Sequence, residues 1–154
     1  MLTIKFKYNL HFPGHEDIHV HYEEIHLDHW VDSYYLVLDQ HLLPEIETFE
    51  KAKMVQKHIL KNWQLMIQNM TNGKSVILSY ELSDEYIGVL YVYQIDNFLE
   101  ISRGSTQKYQ GYSFIPSLTK YLEFDLSDLR LDSVKDTVLK NDFIEVLRKI
   151  EITL

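Results

Sequence analysis

The chain predicts an α+β fold: an antiparallel sheet, made of an N-terminal hairpin plus a central meander, with long helices packed on one face. Three observations lead there. Apolar and polar residues alternate strictly from Leu2 to Phe12, the pattern of a half-buried strand. Lys74 to Arg103 holds three runs rich in Val, Ile and Tyr, parted only by Ser83-Asp84-Glu85 and Asp96-Asn97, as in a meander with tight turns. Between these regions, apolar residues from Ile46 to Met70 recur at intervals of three and four, which is the repeat of one helix face.

The first strand ends at Pro13-Gly14, and Ile18, Val20 and Tyr22 restart the alternation with His19, His21 and Glu23 on the other parity. This is the second arm of a hairpin. The apolar parity then shifts to Ile25 and Leu27, so a bulge or the end of the strand is expected near Glu23-Glu24. Trp30, Val31, Tyr34, Tyr35, Leu38 and Leu42 are spaced for a helix from about Asp28 to Leu42, with a strand through Tyr34 to Leu38 as the competing assignment. Pro44 stops that element ahead of a second helix, whose first acids, Glu45 and Glu47, suit the positive end of a helix dipole. Ile46, Phe49, Met54 or Val55, Ile59, Trp63, Met66, Ile67 and Met70 form its buried stripe, with Lys51, Lys53, Lys57 and Lys61 off the stripe or at its edge. Asn72-Gly73 ends the helix.

Tyr86 to Ile95 is apolar on both parities, which marks the central strand of the meander, covered on both faces. After the polar loop from Gly104 to Gly111, Tyr112 to Pro116 is expected as an edge strand, because proline cannot donate to a ladder. Another short strand is expected within Tyr121 to Leu131. The spacing of Val134, Val138, Phe143, Val146, Leu147 and Ile150 predicts a last helix from Ser133 to about Ile150, with a break at Asn141.

A chain of 154 residues is expected to fold as a single domain, 1–154, around one core. Cysteine is absent, which excludes a disulfide scaffold and fits a reducing cytoplasm. The first residues alternate where a secretory signal needs an unbroken apolar segment. The longest uncharged apolar run, Tyr86 to Ile95, is far short of the roughly 20 residues of a membrane-spanning helix. A soluble protein with no membrane partner is therefore expected.

The net charge of −8 is unevenly placed. Residues 1–50 hold Lys5 and Lys7 against ten acids, whereas residues 51–154 hold equal numbers of acids and bases. All the excess negative charge thus lies in the first third, which argues against nucleic acid there and for a cationic partner. The acids placed for that role are Glu16, Asp17, Glu23, Glu24, Asp28 and Asp32.

The same segment is rich in histidine. His15-Glu16-Asp17-Ile18-His19 matches the zinc-protease pattern, in which two histidines one helical turn apart hold the metal and the glutamate activates water. That chemistry needs a helix. A helix here would scatter Ile18, Val20, Ile25 and Leu27 around its circumference, whereas a strand gathers most of them on one face. On a hairpin, His11, His19 and His21 are the alternative metal set within the segment 11–29. Asn72-Gly-Lys-Ser75 lacks the first glycine of a phosphate loop, and Gly111-Tyr-Ser-Phe-Ile115 lacks the closing glycine of a nucleophile elbow. Eleven tyrosines come without the basic stripe that base stacking requires.

In size, acidity and mixture of strands and helices, the whole chain resembles the bacterial immunity proteins that neutralise toxic nucleases of contact-dependent and related toxin systems. The resemblance is carried by these general features rather than by a motif. It implies a basic toxin domain as partner, inhibition by covering the toxin's active site, no enzymatic activity and no cofactor. Tyrosine is favoured at such interfaces, and localised charge speeds encounter. The alternatives are a metal-dependent hydrolase using His15, Glu16 and His19, a metal-binding β domain using His11, His19 and His21, and a homo-oligomeric subunit pairing through its aromatic surface.

Overall fold

The computed structural model describes residues 4–9, 11 and 14–153, with side chains through Ile150. Leu2, Leu10, Phe12 and Pro13, part of the expected first strand and its stop, lie outside the described residues. Among the described residues the strands form two four-stranded sheets rather than one. In the first, β1 (Lys5–Tyr8) pairs antiparallel with β2 (Ile18–Tyr22), and β2 pairs antiparallel with β3 (Leu27–Val31). Its other edge is completed by β8 (Glu151–Thr153), parallel to β1. The alternation in the sequence sets its faces: Phe6, Tyr8, Ile18, Val20, Tyr22, Leu27 and Val31 are buried inward. β2 ends at Tyr22, where the apolar parity shifts; a 3₁₀ turn, Glu23–Ile25, and a left-handed His26 lead into β3.

The second sheet is the expected meander, β4 (Ser75–Leu82), β5 (Ile87–Ile95) and β6 (Phe98–Thr106), extended by β7 (Leu129–Leu139). Ile87, Val89, Leu90 and Val92 of β5 are all buried, so both faces of this strand are covered. Of the three α-helices among the described residues, α1 (Tyr34–Val37), α2 (Phe49–Gln68) and α3 (Lys140–Arg148), α2 alone is long. Thr48 caps it by accepting the Lys51 N–H at 3.4 Å. Its buried face, Val55, Ile59, Trp63 and Ile67, is the expected stripe, but Lys51 is buried as well, with no hydrogen-bond partner for its ammonium among the described residues.

α2 lodges against the inner face of the first sheet and beside β4. Phe6, Ile18 and Val31 meet Ile59, Leu60 and Trp63 there, with Leu82 alongside, and the Tyr8 hydroxyl donates to Gln56 at 2.5 Å. Elsewhere β3 and its preceding turn lie directly over the second sheet. His29 reaches Glu81 at 3.0 Å, His26 reaches Asp136 at 3.9 Å, and Arg103 donates to the His26 carbonyl at 2.9 Å. No helix among the described residues is long and apolar enough to cross a membrane.

Three sequence expectations are corrected. The segment 28–42 is not one helix: 27–31 is strand and the helix is four residues long. Trp30 points outward there, stacked on His19, so apolar residues occur on both faces of β3 and imitate a helical interval. Tyr112 to Pro116 is not a strand; Pro116 instead opens a 3₁₀ helix, Pro116–Tyr121, at the position its fixed φ favours. Residues 129–139, expected to hold the end of a short strand and the start of a helix, are one edge strand, and α3 occupies only 140–148.

Candidate functional site

The zinc-protease pattern does not assemble. His15 and Glu16 lie in a turn, Glu16 with φ at 44°, while His19 is on β2. His15 faces Asp32 at 3.7 Å and stacks on Tyr34, whereas His19 contacts Asp28 at 2.5 Å and stacks on Trp30. The second set also separates, because His11 lies in the turn beyond β1, its N–H donating to Asn9. His19 and His21 do share the outer face, yet both turn to Asp28, at 2.5 and 3.9 Å. The His19 hydrogen bond holds the Asp28 carboxyl below its ordinary range. Among the described residues no group of three or more histidines and acids is placed to hold a metal ion. The segment instead sets His15, His26 and His29 each on a carboxylate of its own, with His19 and His21 sharing Asp28.

The six acids proposed as a partner surface do not form one field. Asp17 is withdrawn from the surface altogether: it is 0% exposed. Its carboxylate accepts the Gly14 N–H at 2.7 Å, the Ser33 N–H at 2.8 Å and the Ser33 hydroxyl at 2.6 Å. This is a brace between two loops, made from charge-assisted hydrogen bonds. Glu16 and Asp32 stay together at one end of the hairpin, where Asp32 accepts the Glu16 N–H at 2.6 Å. Glu23 and Glu24 occupy the turn at the other end, Glu24 half-buried. The length of β2 between these pairs, at about 3.3 Å per residue, is roughly 17 Å, twice the screening length of about 8 Å at physiological salt. Asp28 lies between them among histidines, on the outward face that also carries Lys5 and Lys7.

The Glu16–Asp32 end has a second component that the sequence did not single out. Tyr34, 44% exposed, stands at a cleft of about 370 Å³ whose walls include Val37, Leu38 and Phe49, with Glu47 at its edge. α1 and the start of α2 bring these residues together, and the Tyr34 N–H bonded to the Gly14 carbonyl at 3.1 Å fixes the loop beside them. The spacing predicts Tyr34 on a buried helix stripe, whereas in the four-residue α1 it is Tyr35 and Leu36 that are buried and Tyr34 that is exposed. Glu81, also missed, is nearly buried and paired with His29 from the other sheet; its position in an alternating strand gave no sign of this. No protein-family model, curated protein or solved structure matches the chain, so its function has to be argued from its own residues.

Proposed function

We propose that the chain is a protein-binding inhibitor of the immunity type, which neutralises a basic toxin domain by covering its active surface. Support comes chiefly from the Tyr34 cleft, apolar within and edged by Glu47, with Glu16 and Asp32 alongside. Such a cleft suits a lysine or arginine side chain, whose methylenes lie on apolar walls and whose charged head meets a carboxylate. An exposed tyrosine with a carboxylate beside it has the composition of an interface anchor. Glu23 and Glu24, at the far end and about two screening lengths away, stand outside this surface. Inhibition of this kind is steric, with no reaction and no cofactor.

Stopped-flow association with a basic nuclease-type toxin domain tests this. Raising salt from low to physiological should slow association several-fold as screening shortens. Reversing Glu16 and Glu47 to lysine should slow it further, and Tyr34→Ala should raise the dissociation rate by about tenfold, equivalent to about 1.4 kcal/mol. Reversing the exposed Glu85 and Glu123 should change neither rate. Equal effects from the two pairs, or binding only to acidic domains, would remove the basis of the proposal.

A further inference from the structure

The irregularities of the second sheet converge on one place. The β4–β5 register breaks between Ser79 and Glu81, and the β6–β7 register breaks between Ser102 and Gly104, where Arg103 faces the stretch Asp132 to Val134. Bulges re-aim side chains and are over-represented beside binding sites. The sheet's two glycines fall in the same region. A Cβ at Gly88 would lie 2.8 Å from the Glu81 Cβ, and one at Gly104 would run into the Arg130 carbonyl.

Between this region and β3 lies an open cleft of about 510 Å³, with Tyr80, Glu81 and His29 on one side and Arg130 and Asp132 on the other. Glu81, Gly88, Ser105 and Arg130 are direct cross-strand partners on successive strands, and opposed residues share a face. They form one row, with an acid at one end and a base at the other; the Glu81 carboxylate leans over Gly88, where a Cβ would meet its Oε2 at 2.9 Å and the Tyr80 ring at 3.1 Å, so the open floor is at Ser105. At about 4.8 Å per strand, the Cα atoms of the end residues are roughly 14 Å apart.

The ends of the row are prepared differently. Glu81 accepts from the Tyr86 hydroxyl at 3.0 Å on one oxygen and meets His29 Nε2 at 3.0 Å on the other, which leaves each oxygen a second lone pair. Burial, then the charge of Glu81, pushes the Tyr80 hydroxyl up to about 12, so it remains a hydrogen-bond donor at neutral pH. Arg103 is engaged by the His26 carbonyl and by Asp132 at 3.8 Å. Arg130 makes no ion pair and no side-chain hydrogen bond among the described residues. A nearly buried carboxylate lying over Gly88 thus stands across Ser105 from an uncommitted guanidinium.

We propose that this cleft binds a short zwitterionic peptide, its ammonium on Glu81 and its carboxylate on Arg130. A free amino acid holds its two charges too close together to reach both ends. From Gly88, over which the Glu81 carboxylate lies, to the Arg130 Cα is two strand spacings, about 10 Å, a span that a dipeptide or tripeptide at about 3.5 Å per residue fills. A simple anion is disfavoured by Glu81 and Asp132, and a simple cation by Arg103 and Arg130. The site is separate from the Tyr34 cleft and does not depend on it.

The probe is triglycine, titrated into the full ¹⁵N-labelled chain. The amides of Gly88, Gly104 and Ser105 should shift and saturate. N-acetyl-triglycine and triglycine amide, each lacking one charge, should bind at least about tenfold more weakly. Arg130→Ala, an exposed edge-strand change that spares the core, should abolish saturation while leaving the remainder of the spectrum in place. The proposal is overturned if no saturable shift appears at tens of millimolar, if the blocked peptides bind as well as the free one, or if inorganic phosphate displaces triglycine and binds more tightly.

Discussion

Asp17 and Asp39 show what a carboxylate does once it leaves the surface. Asp39 is 0% exposed and accepts the N–H groups of His41 and Leu42 on one oxygen and that of Ser117 on the other. Burial alone would raise its pKa, but these N–H groups outweigh it and hold the carboxyl below its ordinary range. A group whose pKa is depressed by folding contributes stability above its unfolded pKa of about 3.9 and loses it as pH falls through the folded value. Asp39→Asn should therefore flatten the acid limb of a stability–pH curve below about pH 4 and cost about 1–3 kcal/mol near neutrality, read from urea midpoints. Asp17→Ala should cost a similar amount, since it orphans three donors. The buried ammonium of Lys51 is the converse case: Lys51→Met should leave the melting temperature unchanged or raise it, because an apolar isostere removes a charge that has no acceptor. None of these roles was legible beforehand. A carboxylate or lysine in a sequence reads as surface, and only the fold decides which three or four are enclosed.

Elements were legible where at least one face is buried. β1 and β2 follow period two, β5 shows as a short run apolar on both parities, and the buried face of α2 follows period 3.6; these elements fall where expected, save that α2 begins at Phe49 and not at Glu45. β7 was missed because most of it is exposed on both faces. Without a buried face a strand has no alternation to show, and the four-residue interval between Val134 and Val138 passes for a helix. Val138 in fact pairs with Leu99, while Val134 lies in the bulged stretch opposite Arg103. The central strand offers the sharpest test at this scale. Val89→Asp places an unpaired carboxylate in a fully buried position of β5, a cost of several kcal/mol against a total stability of about 5–15. The variant should be unfolded by circular dichroism at room temperature; a native melting curve would contradict the two-sided burial of β5. Thr48→Ala at the α2 cap should cost only about 0.5 kcal/mol, the low end for caps, because its hydrogen bond is long at 3.4 Å.

At the scale of the molecule, composition and charge indicated the chemistry of a partner better than its location. The acidic first third is real in sequence, but the fold encloses Asp17 and Asp39, pairs Asp28 and Asp32 with histidines, sets Glu16 apart from Glu23 and Glu24 at opposite ends of a hairpin, and leaves Glu45, Glu47 and Glu50 at the approach to α2 and its start. The Tyr34 cleft and the Glu81–Arg130 row both join residues far apart in the chain, and no local spacing encodes either. The meeting of the two chain ends has a consequence for how the protein forms. Pairing of β8 with β1 sets Glu151 opposite Lys5, so it closes a loop that contains every other strand and helix described. The meander closes through turns of a few residues, and closure entropy grows with the logarithm of loop length. The β4–β6 hairpins should therefore assemble early and the β1–β8 ladder last, leaving a late intermediate whose first sheet has an open edge. Pulse-labelled hydrogen exchange during refolding should show amides of β5 and β6 protected before those of β1 and β8, and simultaneous protection would mean that the ends are already joined when the meander forms.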